Sequence, residues 1–167
     1  MRFEEIGLGN AAPTVVNSVV EIPKGSSNKY EVDSETGLVK LDRVLYSPFY
    51  YPWDYGYILG TMYGDGDPLD VLILSSHPTF PGCIVEARPI GILGMRDEKG
   101  RDDKVIAACH RDPRFSDVNE LEDIAEHIRK EIYHFFEVYK DLEEKQVEVL
   151  GWESASTARE LIMQHRA

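Results

Sequence analysis

The sequence predicts a single α+β domain in which short strands come first and helices follow. Strand-like apolar segments fill the first two-thirds of the chain, and a helical apolar period appears only after Pro113. This order is typical of α+β folds, and the short, glycine-punctuated strands favour a β-barrel or a strongly curved sheet. With 167 residues and no repeat or linker, the chain is expected to form one domain over residues 1–167.

The predicted strands are bounded by glycine, proline and polar turn residues. They cover residues 15–22, 30–33, 38–45, 53–63, 69–74, 83–95, 104–109 and 147–152. Residues 34–37 form a polar turn with a glycine, which predicts a hairpin between the second and third strands. Pro89, Gly91 and Gly94 interrupt the longest strand, so we expect a bulge or bend there.

Two helices are predicted in the last third of the chain. Apolar residues recur every three or four positions near residues 119–140, which is the period of one face of a long helix. Asn119 and Glu122 have the spacing of a capping box at its start. A second helix is predicted over residues 154–165, with its apolar residues on one side.

The composition excludes several classes of protein. No apolar run reaches the about 18 residues of a transmembrane helix, and the first residues are acidic where a signal peptide is basic. Two cysteines are too few for a disulfide framework, so a reduced, cytoplasmic location is expected. The net charge of −12 argues against partners such as nucleic acid or an anionic membrane and favours cationic partners.

The most informative segment is Asp-Gly-Asp-Pro-Leu-Asp at residues 65–70. Its three carboxylates repel one another unless a hard cation neutralises them, and without a Cys/His cluster the ion favoured is Mg²⁺, Mn²⁺ or Ca²⁺ rather than zinc. An EF-hand is rejected because its fifth, sixth and twelfth positions hold Leu69, Asp70 and Ser76. The segment alone also suits a plain Asp/Gly/Pro turn, so both interpretations stay open at this point.

Other predicted strands contain lysine and arginine residues, which add positive charge to the acidic residues of this segment. Lys29 and Glu31 share one strand face, and Asp102 shares another with Lys104 if Lys104 opens a strand. Arg43 lies on an otherwise apolar face, either as a snorkelling edge residue or as a phosphate ligand. Acids and cations together suit a metal–polyanion complex, such as a phosphate anhydride with Mg²⁺. The sequence contains neither a P-loop nor a Rossmann glycine pattern.

These motifs match the pattern of one known family in order and spacing. The segment Asp-Gly-Asp-Pro-Leu-Asp-Val at residues 65–71 matches its signature, and the further matches are Glu21-Ile22-Pro23, Lys29-Tyr30-Glu31, Asp42-Arg43, Tyr51-Pro52-x-x-Tyr55-Gly56-Tyr57, Gly82 through Arg88-Pro89-x-Gly91, Asp97-Glu98, Asp102-x-Lys104, His134-Phe135-Phe136-x-x-Tyr139-Lys140-x-Leu142 and Gly151-Trp152-Glu153. From about residue 15 to 160 the chain resembles the soluble family I inorganic pyrophosphatases. Its short length is similar to that of their prokaryotic branch.

The resemblance implies hydrolysis of pyrophosphate to two phosphates, dependent on several Mg²⁺ ions per active site, with Mn²⁺, Co²⁺ or Zn²⁺ as substitutes. The implied mechanism is a direct in-line attack of a metal-bound hydroxide, without a phosphoenzyme. The implied fold is a five-stranded OB-like β-barrel with flanking strands and two helices. Prokaryotic members are commonly homohexamers of two stacked trimers, so we expect a homohexamer here.

The resemblance also implies a role for each matching residue. Asp67 takes the proton from the attacking water, and Tyr55 hydrogen-bonds near the nucleophile and Asp67 and also contributes to substrate binding. The metal ligands implied are Asp65, Asp70, Asp97 and Asp102, supported by Glu21 and Glu31. The phosphate ligands implied are Lys29, Arg43, Lys104, Tyr139 and Lys140.

Two other functions are consistent with the residues alone. The same site could serve a phosphohydrolase of nucleotides or longer polyphosphates, or the barrel could be a non-enzymatic module that binds divalent metals or oligonucleotides. Nothing in the sequence resembles a base-binding pocket, and a plain metal-binding module has no use for Lys29, Arg43 and Lys140 at these places. Hydrolysis of pyrophosphate is therefore the favoured function.

Overall fold

A closed ring of five strands forms the centre of the molecule. The computed structural model describes residues 2–64 and 66–167. Around the ring, each strand pairs with the next in the order β1 (Val16–Ile22), β4 (Asp54–Ile58), β5 (Asp70–Leu74), β8 (Lys104–Cys109) and β6 (Ile84–Asp97), and β6 pairs back with β1. The β5–β8 pair is parallel and the other four pairs are antiparallel.

Four further strands flank the ring. The predicted hairpin is confirmed as a separate two-stranded sheet of β2 (Asn28–Val32) and β3 (Val39–Val44). Two other strands, β7 (Gly100–Arg101) and β9 (Glu148–Ser154), both pair with β6. With two helices, α1 (Glu126–Val138) and α2 (Ala155–Gln164), this arrangement confirms the predicted α+β class.

The first helix is shorter than the sequence predicts. It begins at Glu126 rather than near residue 119, because residues 121–123 form a 3₁₀ turn and Ala125 has an extended backbone. The proposed capping box is also wrong: the carboxylate of Asp123, not of Glu122, accepts hydrogen bonds from the backbone N–H groups of residues 119 and 120, at 2.9 and 3.0 Å.

The ring strands are buried on both faces. Leu72 and Leu74 of β5 belong to the apolar cluster that includes Phe136 of α1, whereas Val71 and Ile73 belong to a second cluster that reaches α2. A strand buried on both faces reads as a continuous apolar run, which is why this strand was evident from sequence.

A close approach at one glycine and irregularities in β6 shape the ring. A Cβ atom at Gly56 would lie 1.8 Å from the carbonyl oxygen of Val19, so only glycine lets β4 cross β1 this closely. The expected irregularity of β6 is confirmed as register shifts at Pro89/Gly91 and Gly94/Met95, which bend the strand so that it pairs with several neighbours. At the tight β1–β4 pairing, Ile22 lies opposite Tyr55.

Candidate active site

A groove of about 1800 Å³ gathers most of the residues that the sequence analysis singled out. Its lining includes Glu21, Lys29, Glu31, Tyr55, Asp67, Asp70, Asp97, Asp102, Lys104, Tyr139 and Lys140. Arg43 is not part of this lining but pairs with Asp42, which in turn pairs with Lys29. Asp65, a predicted metal ligand, lies outside the described residues.

The centre of the groove is a buried ammonium group between two carboxylates. Parallel pairing of β5 with β8 places Asp70 opposite Lys104, and the alternation of an extended chain places Asp102 on the same side. The Nζ atom of Lys104 donates to Asp70 Oδ2 at 2.6 Å and to Asp102 Oδ1 at 2.9 Å. The Lys104 side chain is only 3% exposed, so this ion triad is largely shielded from water.

The two carboxylates determine the charge state of the buried lysine. Burial alone would lower the pKa of Lys104, but the negative charges of Asp70 and Asp102 outweigh it and raise that pKa well above its usual value. For Asp102, burial raises the pKa and the Lys104 charge opposes the rise. The lysine therefore stays protonated at neutral pH and offers a fixed positive charge to the groove.

Two buried tyrosines border this triad. Tyr55 extends from β4 with its ring centroid 5.6 Å from Lys104 Nζ, and Tyr139 caps the end of α1. Burial, aided by the Asp70 charge, raises the pKa of Tyr55 well above its usual value, and burial raises that of Tyr139 to about 12. Both phenols therefore keep their protons at neutral pH and can donate hydrogen bonds to an anion.

The hairpin contributes cations that are already paired with carboxylates. Lys29 Nζ lies 2.7 Å from Glu31 Oε1 and 3.3 Å from Asp42 Oδ2. Arg43 lies 2.6 Å from Asp42 and, through its Nε atom, 2.9 Å from Glu143. The Glu143 contact was not predicted from sequence, since the two residues are 100 positions apart.

Lys140 lies two positions after the end of α1 and brings a further ammonium group to the groove. Burial, together with the positive charge of Lys104, lowers the pKa of Lys140. Its Nζ atom lies 5.4 Å from the centroid of the Tyr139 ring. A phosphate group bound here would add negative charge beside this partly buried ammonium.

Glu21 connects the ring to the hairpin. Its Oε1 atom accepts a hydrogen bond from the backbone N–H of Val32 at 2.8 Å. Burial raises the pKa of Glu21 to about 7; the Val32 hydrogen bond opposes this rise and the negative charge of Asp70 adds to it. This carboxyl group therefore titrates near neutral pH.

The remaining predicted acidic residues of the groove are Asp67, on the turn before β5, and Asp97, at the end of β6. The carbonyl oxygen of Asp67 accepts a hydrogen bond from the backbone N–H of Tyr63 at 2.7 Å, and Asp97 accepts one from the N–H of Lys99 at 2.8 Å. Across residues 2–64 and 66–167, no three acidic, His or Cys side chains already converge on one metal position. The donor set in the groove is nevertheless carboxylate oxygen, which is the chemistry that Mg²⁺ prefers.

Comparison with known proteins identifies sequences of the same kind. A family model described as inorganic pyrophosphatase matches residues 18–167. The inorganic pyrophosphatase of Halalkalibacterium halodurans is 54% identical over 150 residues, which cover 90% of this chain and 92% of that protein. The inorganic pyrophosphatase of Saccharolobus solfataricus is 50% identical over 161 residues, covering 95% and 94% of the two chains.

Solved structures show the same architecture. Inorganic pyrophosphatase from Thermus thermophilus superposes with a TM-score of 0.94 at 45% identity, covering 98% of this chain and 95% of that one. The Neisseria gonorrhoeae inorganic pyrophosphatase gives 0.91 at 32% identity, with 98% and 96% covered. The five-stranded OB-like barrel with two helices, expected from sequence, is confirmed by these neighbours.

Replacing Glu21 with glutamine is expected to flatten the pH dependence of stability. The pKa of Glu21 is about 7 in the folded protein and 4.5 ordinarily, so the folded state binds more protons between these values. The stability that this group contributes is complete below pH 4.5 and is lost as the pH rises through 7. Urea unfolding with a chelator present should show a larger loss over this interval in the wild type than in Glu21→Gln.

The matched control is Glu160→Gln, the same substitution on the exposed side of α2. This control shows whether the loss of a carboxylate elsewhere changes the dependence of the unfolding free energy on pH. Parallel stability curves for the wild type and Glu21→Gln would contradict the assigned titration.

Proposed function

The chain belongs to the inorganic pyrophosphatase family, and we propose that it hydrolyses pyrophosphate with Mg²⁺ bound by the carboxylates of the groove. One observation carries this proposal: carboxylate oxygens for a cation and ammonium groups for a phosphate anhydride meet around Lys104. A metal–diphosphate complex satisfies both sets of charges at once.

The metal ligands proposed are the acidic residues at the ends of the ring strands. Asp70 and Asp102 meet at Lys104, and Asp97 is the last residue of β6. Asp65 completes the set, and Glu21 and Glu31 support it from the ring and the hairpin. Oxygen ligands suit Mg²⁺, with Mn²⁺, Co²⁺ or Zn²⁺ as substitutes. When bound, such ions neutralise phosphate charge and lower the pKa of coordinated water.

The two phosphates of the substrate are proposed to lie between the hairpin and the end of α1. Lys29 and Arg43 approach from the hairpin, where their carboxylate partners yield to the more highly charged anion. The ammonium groups of Lys104 and Lys140 and the phenol of Tyr139 approach from the other side. These groups bind the phosphate oxygens and stabilise the charge that develops on the leaving phosphate.

Asp67 is proposed as the general base. It lies exposed on the turn before β5, close in sequence to Asp65 and Asp70, so its carboxylate can reach a water in the groove. Tyr55 keeps its proton and is proposed to donate a hydrogen bond near the nucleophile and Asp67, which orients the nucleophile. The attack is direct and in line, with no covalent phosphoenzyme.

We further propose that the enzyme is a cytoplasmic homohexamer. The hairpin exposes apolar side chains that a monomer would leave in water, including Leu38, Leu41 and Val44. A second copy of the chain is the proposed partner of such surfaces, and neither nucleic acid nor a membrane is proposed as one. No helix in the described part of the chain is long and apolar enough to cross a membrane.

Substitution of Asp67 with asparagine is expected to abolish most pyrophosphate hydrolysis while the fold is retained. Removing a general base costs about 10²–10⁴-fold in rate, because the attacking water keeps its proton. Phosphate release from pyrophosphate, with and without Mg²⁺, measures the effect. Asp117→Asn, on an exposed turn outside the groove lining, is the control and should retain wild-type activity. Full turnover by Asp67→Asn would rule out its role as the base.

Sedimentation equilibrium tests the proposed assembly. The expected mass is six times the 19.0 kDa of the single chain. A single species at the monomer mass across the concentration range would contradict the homohexamer.

A further inference from the structure

Two residues without an assigned role connect the turn that carries Asp67 (the catalytic turn) to the segment between β7 and β8 that carries Asp102. The hydroxyl group of Tyr63 donates a hydrogen bond to Asp103 Oδ2 at 2.6 Å. Tyr63 lies just before residues 65–70, and Asp103 lies between Asp102 and Lys104. This single bond therefore joins two segments 40 positions apart in sequence, both of which supply groups to the groove.

On the catalytic turn, Tyr63 is held opposite Asp67. The backbone N–H of Tyr63 donates to the carbonyl oxygen of Asp67 at 2.7 Å, and the N–H of Gly66 donates to the carbonyl oxygen of Tyr63 at 3.2 Å. These two hydrogen bonds tie the backbone of Tyr63 to the backbone of the turn that carries Asp67. The ring is fixed in turn by an edge contact with the His165 ring, with centroids 4.9 Å apart.

In the segment between β7 and β8, the Asp103 carboxylate is buried and held by several hydrogen-bond donors. Its side chain is 4% exposed, and its Oδ1 atom accepts from the backbone N–H of Met95 at 3.1 Å. The Arg101 guanidinium lies 2.9 Å from the same oxygen. Because the chain alternates here, Asp103 faces away from the side on which Asp102 and Lys104 meet. Asp103 therefore provides a fixed point behind the ion triad.

We propose that Tyr63 and Asp103 are positioning residues that set the separation between the Asp67 carboxylate and those of Asp70 and Asp102, and thereby the affinity of the groove for Mg²⁺. The proposal rests on the proposed function for the roles of these three carboxylates. Neither positioning residue touches the reacting atoms. Their bond restrains the turn from behind, through the backbone bridge between Tyr63 and Asp67.

The charges and the backbone of the turn explain why such a restraint is needed. Carboxylates directed into one space repel one another and tend to separate before a cation binds. Gly64 and Gly66 have positive φ angles of 54° and 100° and lack a Cβ atom, so no side chain restricts the backbone at these two positions. The Tyr63–Asp103 bond opposes this separation and reduces the conformational cost of assembling the metal site.

The test is Tyr63→Phe, which removes the hydroxyl group but keeps the ring, its His165 contact and the backbone bridge. Calorimetric titration of Mg²⁺ into the protein without substrate should show about 10-fold weaker binding than in the wild type, at the low end of the effect of losing a residue that orients a metal site. Activity should require correspondingly more Mg²⁺ and recover most of its maximum at saturating Mg²⁺. The control is Tyr133→Phe, which removes a half-buried hydroxyl group on α1 and should leave both measurements unchanged.

A second variant separates positioning from general stability. If the two residues act through one bond, the double variant Tyr63→Phe/Asp103→Asn should bind Mg²⁺ no more weakly than Asp103→Asn alone. Wild-type Mg²⁺ affinity in Tyr63→Phe would overturn the inference, even if its melting temperature fell. Where Asp103→Asn fails to fold, the Tyr63→Phe titration alone decides.

The experiments distinguish failure of this inference from failure of the proposed function. Weaker Mg²⁺ binding by Tyr63→Phe, combined with no pyrophosphate hydrolysis by the wild type, would support the positioning role and overturn the proposed function. Mg²⁺-dependent hydrolysis by the wild type, combined with unchanged Mg²⁺ binding by Tyr63→Phe, would support the proposed function and overturn the positioning role.

Discussion

The buried ammonium group of Lys104 is the constraint on which the rest of the site depends. A charged group this far from water is tolerated only when opposite charges and hydrogen bonds compensate its lost hydration. The parallel pairing of β5 with β8 supplies that compensation by placing Asp70 and Asp102 within hydrogen-bonding distance of it. The barrel therefore cannot close in this register without also assembling the acidic centre of the groove.

The residues around this triad hold the parts of the site together. The buried phenols of Tyr55 and Tyr139 keep water away from the ammonium group and retain their own protons. Glu21 joins the ring to the hairpin through the Val32 backbone, so the cations of the hairpin are held beside the acids. The resulting groove is negative enough for metal ions and positive enough for the phosphates that accompany them.

The sequence predicted the ring strands well because their physical signals are local. A strand buried on both faces is a continuous apolar run in the sequence. Proline and glycine within a strand, as at Pro89, Gly91 and Gly94, indicate a bend. The start of the first helix was missed for an equally physical reason. Leu121 lies in a 3₁₀ turn and Ile124 in an extended segment, yet both side chains are buried. Their spacing in the sequence is one that a helix would also give.

The candidate site was predicted only in part from local patterns. Alternation along an extended chain correctly placed Asp102 beside Lys104, whereas the roles of individual residues came from resemblance to the family. The contact of Arg43 with Glu143 and the bond between Tyr63 and Asp103 join distant segments, and such contacts arise only when the chain folds. No spacing in the sequence indicates either of them.

The most direct test of the central claim is the unfolding free energy of Lys104→Met, measured in urea with a chelator and again with Mg²⁺. With the chelator, the variant should be less stable than the wild type by about 3 kcal/mol, because two partly buried carboxylates lose their ammonium partner. Added Mg²⁺ should stabilise the variant more than the wild type, since a cation then occupies the place of the lost charge. Equal stability of the two proteins in both conditions would contradict the account.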